Sequence, residues 1–261
     1  MAKILEHAHV PVFPKCVGVY NLEFTPEEDK TLEIWKDPEH TIASSKITAG
    51  EGIVKESGPY DTVEDRRKWD VWNESFQILH LRKNIFKNCP ELKSIGGAVL
   101  NVAYHFMEHA WGYHLPENVY LDFSDSWMIR LRGDKEREGP FRKHNHAFAM
   151  MTGVLYLDDS ENGVIVGNEQ VGSTFTEDVY PWVWPDAMKK TNIFNEESRK
   201  FDVRKGRLLI FNSKHNHELI RSADENDVRH SFAFNIWPYG KLSEDGGSML
   251  EYESPPVRII E

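Results

Sequence analysis

Apolar positions along the chain follow two rhythms, and the change from one to the other falls near Pro116. Before it the spacing is helical. Ile95, Val99, Val102, Ala103, Phe106 and Ala110 return mostly at intervals of three or four, which predicts a helix over 91–114 running through Gly96 and Gly97. Another helix is expected to start at Thr25-Pro26-Glu27-Glu28, where Thr25 can cap, Pro26 suits the first helical position and Glu28 can close a capping box ahead of Leu32 and Trp35. A further helix is expected over 66–86. After Pro116, short runs of β-branched and aromatic residues broken by turn residues predict strands over 125–131, 147–157, 163–167, 207–212 and 229–237. Two turns carry their own signals. The polar run 158–163 follows Val154-Leu155-Tyr156-Leu157, with Asn162-Gly163 suited to positive φ, and Lys205-Gly206 precedes Arg207 in the same manner.

Helices first and strands second, with no repeat, low-complexity stretch or Gly/Ser/Pro-rich linker between them, argue for one domain of the α+β class. The expected division is mainly helical support over 1–115, a sandwich or barrel core over 116–240 and a C-terminal tail over 241–261. With 40% hydrophobic and 12% aromatic residues among 261, the chain has ample core material, and disorder over most of its length is excluded. Forty-two acidic residues against 31 basic ones give a net charge of −11. That excludes a general binder of the phosphate backbone, which needs a basic surface to release counterions. The first residues carry no apolar stretch of signal-peptide length, and nowhere do 18 apolar residues run together, so no membrane association is expected. Cys16 and Cys89 belong to no C-x-x-C pair, and a reduced cytoplasm is the expected compartment.

Twelve histidines turn attention to metals. His105-Phe106-Met107-Glu108-His109 fits the H-x-x-E-H pattern of helical zinc proteases, but it fixes only three residues, and a solvated helix face accounts for it as well. His144-Asn145-His146 ends a polar stretch and leads into the strand pattern over 147–157. In a strand, residues i and i+2 share a face, so both imidazoles can meet one metal inside a barrel. His215-Asn216-His217, directly after 207–212, repeats the arrangement. Two such pairs at strand ends, with few cysteines in the chain, point to a non-haem iron centre. Arg229 and Ser231 share a face of the last predicted strand, where a guanidinium and a hydroxyl can bind a carboxylate.

The ordered set Ser126-Trp127, His144-Asn145-His146, Thr152-Gly153-Val154-Leu155-Tyr156-Leu157, Asn195, 206–213, His217 and 229–235 resembles the 2-oxoglutarate- and Fe(II)-dependent oxygenases of phages and marine bacteria. The opening Phe13-Pro14 and 17–22 looks like the start of those proteins. The resemblance implies a double-stranded β-helix, the jelly-roll or cupin-like barrel, supported here by N-terminal helices. It implies Fe(II), 2-oxoglutarate and O2 as cofactors and cosubstrates, with hydroxylation of a small-molecule or peptide substrate and release of succinate and CO2. By position His217 matches the distal iron ligand, His144 and His146 fall where an H-x-D/E pair normally lies, and Arg229 with Ser231 matches the grip on the cosubstrate carboxylate. Tyr156 is a candidate to hydrogen-bond the cosubstrate. The departure is His146, a neutral residue in the carboxylate's place, with Asp158 or Asp159 as conceivable substitutes. A cupin-like three-histidine metal protein without 2-oxoglutarate and a non-catalytic binding protein are the rival readings: Arg229 discriminates against the first, which needs no inward carboxylate grip, and failure to bind any metal would favour the second. The aromatic insert over 172–200, with Tyr180-Pro181-Trp182-Val183-Trp184-Pro185, is a candidate substrate lid or a packed loop. The tail is expected either to close the barrel or to form a homodimer contact.

Overall fold

A computed structural model describes residues 16–37, 76–79, 84–136, 139–146, 148–167, 198–241 and 251–252. The insert over 172–200 up to residue 197, Asn195 within it, the first fifteen residues and most of the tail lie outside the described residues, as does most of the expected helix over 66–86. Where that segment is described it differs from expectation: Phe76–Leu79 is a strand, β2, and only Ile85–Asn88 is helical, α2. β2 pairs with a long strand whose exposed edge it covers, and this tertiary pairing overrides the local helical pattern.

The other two helices form as their sequences dictate. α1 spans Pro26–Lys36, and its Thr25 capping box is complete: the Thr25 hydroxyl accepts from the Glu28 N–H at 3.2 Å and the Thr25 N–H donates to Glu28 Oε2 at 2.9 Å. The free Glu28 oxygen accepts from Ser94 Oγ at 2.6 Å, which ties the start of α1 to the first turn of α3, Lys93–Trp111. α3 stops at Gly112, whose φ of 71° forms a left-handed cap.

Eight antiparallel strands build the core: β3 Val119–Arg132, β4 Gly139–His144, β5 Met151–Tyr156, β6 Ser160–Gly167, β7 Ser198–Val203, β8 Arg207–Asn212, β9 His217–Arg221 and β10 Val228–Lys241. Apart from β6 and β7, which are neighbours in one sheet, successive strands cross between two sheets, ordered β8-β5-β10-β3 and β4-β9-β6-β7, which is the jelly-roll arrangement. β1 (Val17–Asn21) extends the larger sheet beside β8, β2 extends it beside β3, and β11 (Glu251–Tyr252) pairs with β10. The described part of the first 115 residues thus contributes strands as well as helices. Strand 207–212 is as expected. The turn at 158–163 is not, since Asn162 and Gly163 lie within β6 with no positive φ and a register shift falls between Ser160 and Val164. Gly206 does adopt positive φ, at 78°.

Alternation along β10 divides the interior in two. Phe232, Phe234 and Ile236 point outward to a large core closed by Leu32 and Trp35 of α1, Phe86 of α2 and Ile95, Val99 and Phe106 of α3. Arg229, Ser231, Ala233 and Asn235 take the other face, between the sheets. There a second apolar cluster of Val164, Val166, Val203, Leu209 and Phe211 surrounds Tyr156. Helices on one face therefore hold the larger sheet rigid, while its opposite face is left to line a barrel interior. No helix among the described residues is long and apolar enough to cross a membrane.

Candidate active site

His144 ends β4 and pairs across the smaller sheet with His217, the first residue of β9. His146 lies beyond the end of β4, two residues on, and not at the start of β5 as the pattern over 147–157 suggested. The chain turns there because the His146 N–H donates to the Ser213 carbonyl at 2.8 Å, joining the stretch after β4 to the stretch after β8. The middle residues of the two His-Asn-His motifs also meet, Asn145 Nδ2 donating to Asn216 Oδ1 at 3.0 Å. As a result the three imidazoles converge: one ligand nitrogen from each of His144, His146 and His217 lies within 4.8 Å of the others. His215, two residues before His217, is buried but stands outside this group.

Hydrogen bonds decide which nitrogen each ring presents. His217 Nδ1 lies 3.1 Å from the His215 carbonyl, and His146 Nδ1 lies 2.7 Å from Asn235 Oδ1. Each acceptor takes an Nδ1 proton and leaves the Nε2 lone pair toward the group's centre. The indole of Trp127 lies flat on the His146 ring, 10° between planes at 5.7 Å. Burial, followed by the neighbouring His144, pushes His146 down to about 4 despite the Asn235 bond, and burial likewise pushes His217 down to about 3. Both rings are therefore neutral at pH 7, the form that binds a metal. His144 is exposed and marks the open side of the group.

Deeper in the barrel, Arg229 is completely buried. Its Nη1 donates to the carbonyls of Asn162 and Gly163, each at 3.1 Å, which fixes the guanidinium from β6. The register shift in β6 turns these two carbonyls inward, which explains why Asn162-Gly163 is not a turn. Arg229 Nε and Nη2, Ser231 Oγ and Tyr156 Oη are buried without hydrogen-bond partners among the described residues. Ser231 and Tyr156 are directly opposite on β10 and β5, and the Arg229 guanidinium sits 5.3 Å from the Tyr156 ring centroid. Four buried polar atoms on one patch, two of them guanidinium N–H donors and two of them hydroxyls able to donate, match the several lone pairs of a carboxylate. Burial pushes the Tyr156 hydroxyl up to about 12 against the opposing pull of Arg229, so it remains a donor across the physiological range. Burial also lowers Arg229, whose positive charge has no carboxylate hydrogen-bonded to it among the described residues. Such a site favours an anion strongly.

Other candidates are employed elsewhere. Asp158 points to the helical side of the sheet, accepting from the backbone and ring of His230 at 2.7 and 2.8 Å and from Lys36 at 3.1 Å. Asp159 accepts from the Lys205 N–H and secures the turn before β8. Neither substitutes for a metal ligand. His105 and His109 lie with ring centroids 4.2 Å apart and their rings tilted by 43° on the exposed face of α3, with Tyr20 hydrogen-bonded to His105, and no third ligand joins them among the described residues. The protease pattern is a helix surface. Asn235 and Trp127 were present in the recognised motifs without a role, because the contact of each with His146 depends on a loop conformation that no spacing reveals.

Residues 125–235 match the model of the family described as "Putative 2OG-Fe(II) oxygenase". Among curated proteins none matches the chain. Solved structures that resemble it include AviO1 from Streptomyces viridochromogenes Tue57, at 10% identity and TM-score 0.48 over 94% of each chain. The non-heme alpha ketoglutarate dependent epimerase SnoN from nogalamycin biosynthesis aligns at 11% identity and TM-score 0.47, over 94% of this chain and 92% of that one. A Pseudomonas putida prolyl-4-hydroxylase aligns at 10% identity and TM-score 0.39, over 85% and 92%. The matched stretch contains all three histidines, Tyr156, Arg229 and Ser231, and the match points to a 2-oxoglutarate-dependent non-haem iron oxygenase, an enzyme class that uses Fe(II), 2-oxoglutarate and O2.

Proposed function

We propose that the protein is a dioxygenase that hydroxylates a small-molecule or peptide substrate, with His144, His146 and His217 holding Fe(II) and Arg229, Ser231 and Tyr156 holding the distal carboxylate of 2-oxoglutarate. The observation that carries this reading is the pairing, in one barrel interior, of three converging imidazoles with a fully buried guanidinium whose Nε and Nη2 are unpartnered among the described residues. A metal-binding barrel that used no cosubstrate would gain nothing from burying Arg229, and its desolvation would be a cost without return.

When bound, the iron with 2-oxoglutarate and O2 supplies the oxidising chemistry that yields succinate, CO2 and an oxidised substrate. The chain's own residues do the rest. Nη1 of Arg229 is committed to the β6 carbonyls, so the Nε and Nη2 edge is held in one direction before the ligand arrives, which lowers the ordering cost of binding. Ser231 and Tyr156 add hydroxyl donors to the same carboxylate. Val154, Val164, Val166, Leu209 and Phe211 line the space between the sheets and keep it dry, which strengthens every charge interaction inside. Exposed His144 leaves the metal group open toward solvent, the side from which substrate approaches. In this reading the enzyme is a single cytoplasmic domain over 1–261, whose tail either closes the barrel or forms a homodimer contact.

Succinate formed from 2-oxoglutarate in the presence of Fe(II) and ascorbate tests it. His217→Ala should abolish succinate release, while Arg229→Ala should raise the 2-oxoglutarate concentration for half-maximal release about 10- to 100-fold, the value of a charge-assisted pair. Wild-type succinate release from His217→Ala would contradict the assignment.

A further inference from the structure

His146 stands outside a strand, so the backbone alone does not aim its ring. Its imidazole is instead held on two sides: Trp127 of β3 lies flat on it, and Asn235 of β10 bonds its Nδ1 at 2.7 Å. Asn235 occupies the inner face of β10, in line with Ser231 and Arg229, and the strand register shifts immediately after it, between Asn235 and Ile236. Uninterrupted alternation along β10 sends Ile236 to the helical core and leaves Asn235 in the barrel; the extra residue at the shift is Ser124, on β3.

We infer that Asn235 is a positioning residue for the metal centre: its side-chain carbonyl takes the Nδ1 proton of His146, fixes the tautomer and points Nε2 at the metal. The inference rests on His146 being a ligand. It gives β10 two duties, the carboxylate grip at Arg229 and Ser231 and the orientation of a metal ligand at Asn235, so one strand sets the distance between the two ends of the bound cosubstrate. An amide is the fitting residue. Its oxygen accepts the proton, and it adds no charge to a centre whose three ligands are neutral.

The test is Co(II) binding by the full chain, followed through the visible absorption of the bound ion, without cosubstrate or turnover. Asn235→Leu, similar in size but lacking an acceptor, should weaken Co(II) binding about 10- to 100-fold, the usual effect of losing a ligand's hydrogen-bond partner. Asn235→Asp, which keeps the acceptor, should restore it to within a few fold. A merely structural role would predict equal damage from both. If Asn235→Leu fails to fold, Asn235→Ser, whose hydroxyl is too short to reach the ring, carries the same expectation. His146→Ala separates the failures. If it weakens Co(II) binding and Asn235→Leu does not, the positioning role is overturned and the ligand assignment stands. Unchanged binding in His146→Ala overturns both.

Discussion

Arg229 concentrates the chemistry of the molecule in one side chain. A guanidinium with no exposure, two carbonyl acceptors on one nitrogen and two other nitrogens unpartnered among the described residues is stable only if the fold compels it. A dicarboxylate should therefore stabilise the protein even without metal. At a 2-oxoglutarate concentration about 100 times its dissociation constant, linkage gives about 2.7 kcal/mol, visible as a rise in melting temperature that Arg229→Ala should lose. Asp158 makes a different prediction. Burial raises its carboxyl, but the His230 ring and backbone and Lys36 outweigh burial and hold it below its ordinary value. Because the folded value lies below the unfolded one, the stabilisation is present above about pH 4 and disappears as pH falls through the folded value. Denaturant titrations should show Asp158→Asn less stable than wild type by about 1–3 kcal/mol at pH 7, with the gap closing as the carboxyl is protonated in the folded protein. As candidates for one site, His144, His146, His217, Arg229, Ser231 and Tyr156 were legible from residue type, spacing and the family resemblance. Asn235, Trp127 and the true roles of Asp158 and Asn162 were not, because each depends on which face of a strand or loop a side chain takes.

Elements fix that geometry through the outer face of the larger sheet. Trp35 of α1 meets Phe232 edge-on with ring centroids 5.8 Å apart, and Phe232 sits between Ser231 and Ala233 of the site strand. Trp35→Ala should cost about 3–5 kcal/mol. It should also weaken 2-oxoglutarate binding by loosening β10, measurable by calorimetry well below the melting transition. The close approach of β1 to α3 depends on Gly18, where a Cβ would lie 2.7 Å from the Phe106 ring and 2.8 Å from Ile210 Cγ2. Helices with strong caps and long periodicity, α1 and α3, were readable in advance because local signals and tertiary packing agree there. β2, β4, β7 and β9 were not. Each is a short or polar strand whose existence comes from a partner far along the chain, as β4 pairing with β9 shows.

At the scale of the whole molecule, the jelly-roll brings His144, at the end of β4, and His146, two residues beyond it, to His217, about seventy residues later. The same topology carries β10 back between β5 and β3, so that one strand faces the helical core on one side and the barrel on the other. The fold class followed from the order of motifs. The depth of the site did not, since burial of a charged residue runs against every composition rule and appears only once the sheets are stacked. The central claim is that the three histidines and Arg229 form one binding site. Its most direct test is an anaerobic titration of the Fe(II)-loaded protein with 2-oxoglutarate, following the weak visible charge-transfer band of the chelate, in wild type and Arg229→Ala. The account predicts a band in both proteins, with the half-saturating concentration raised about 10- to 100-fold in the variant. A protein that binds iron but gives no band, or a variant that saturates as wild type does, would contradict it.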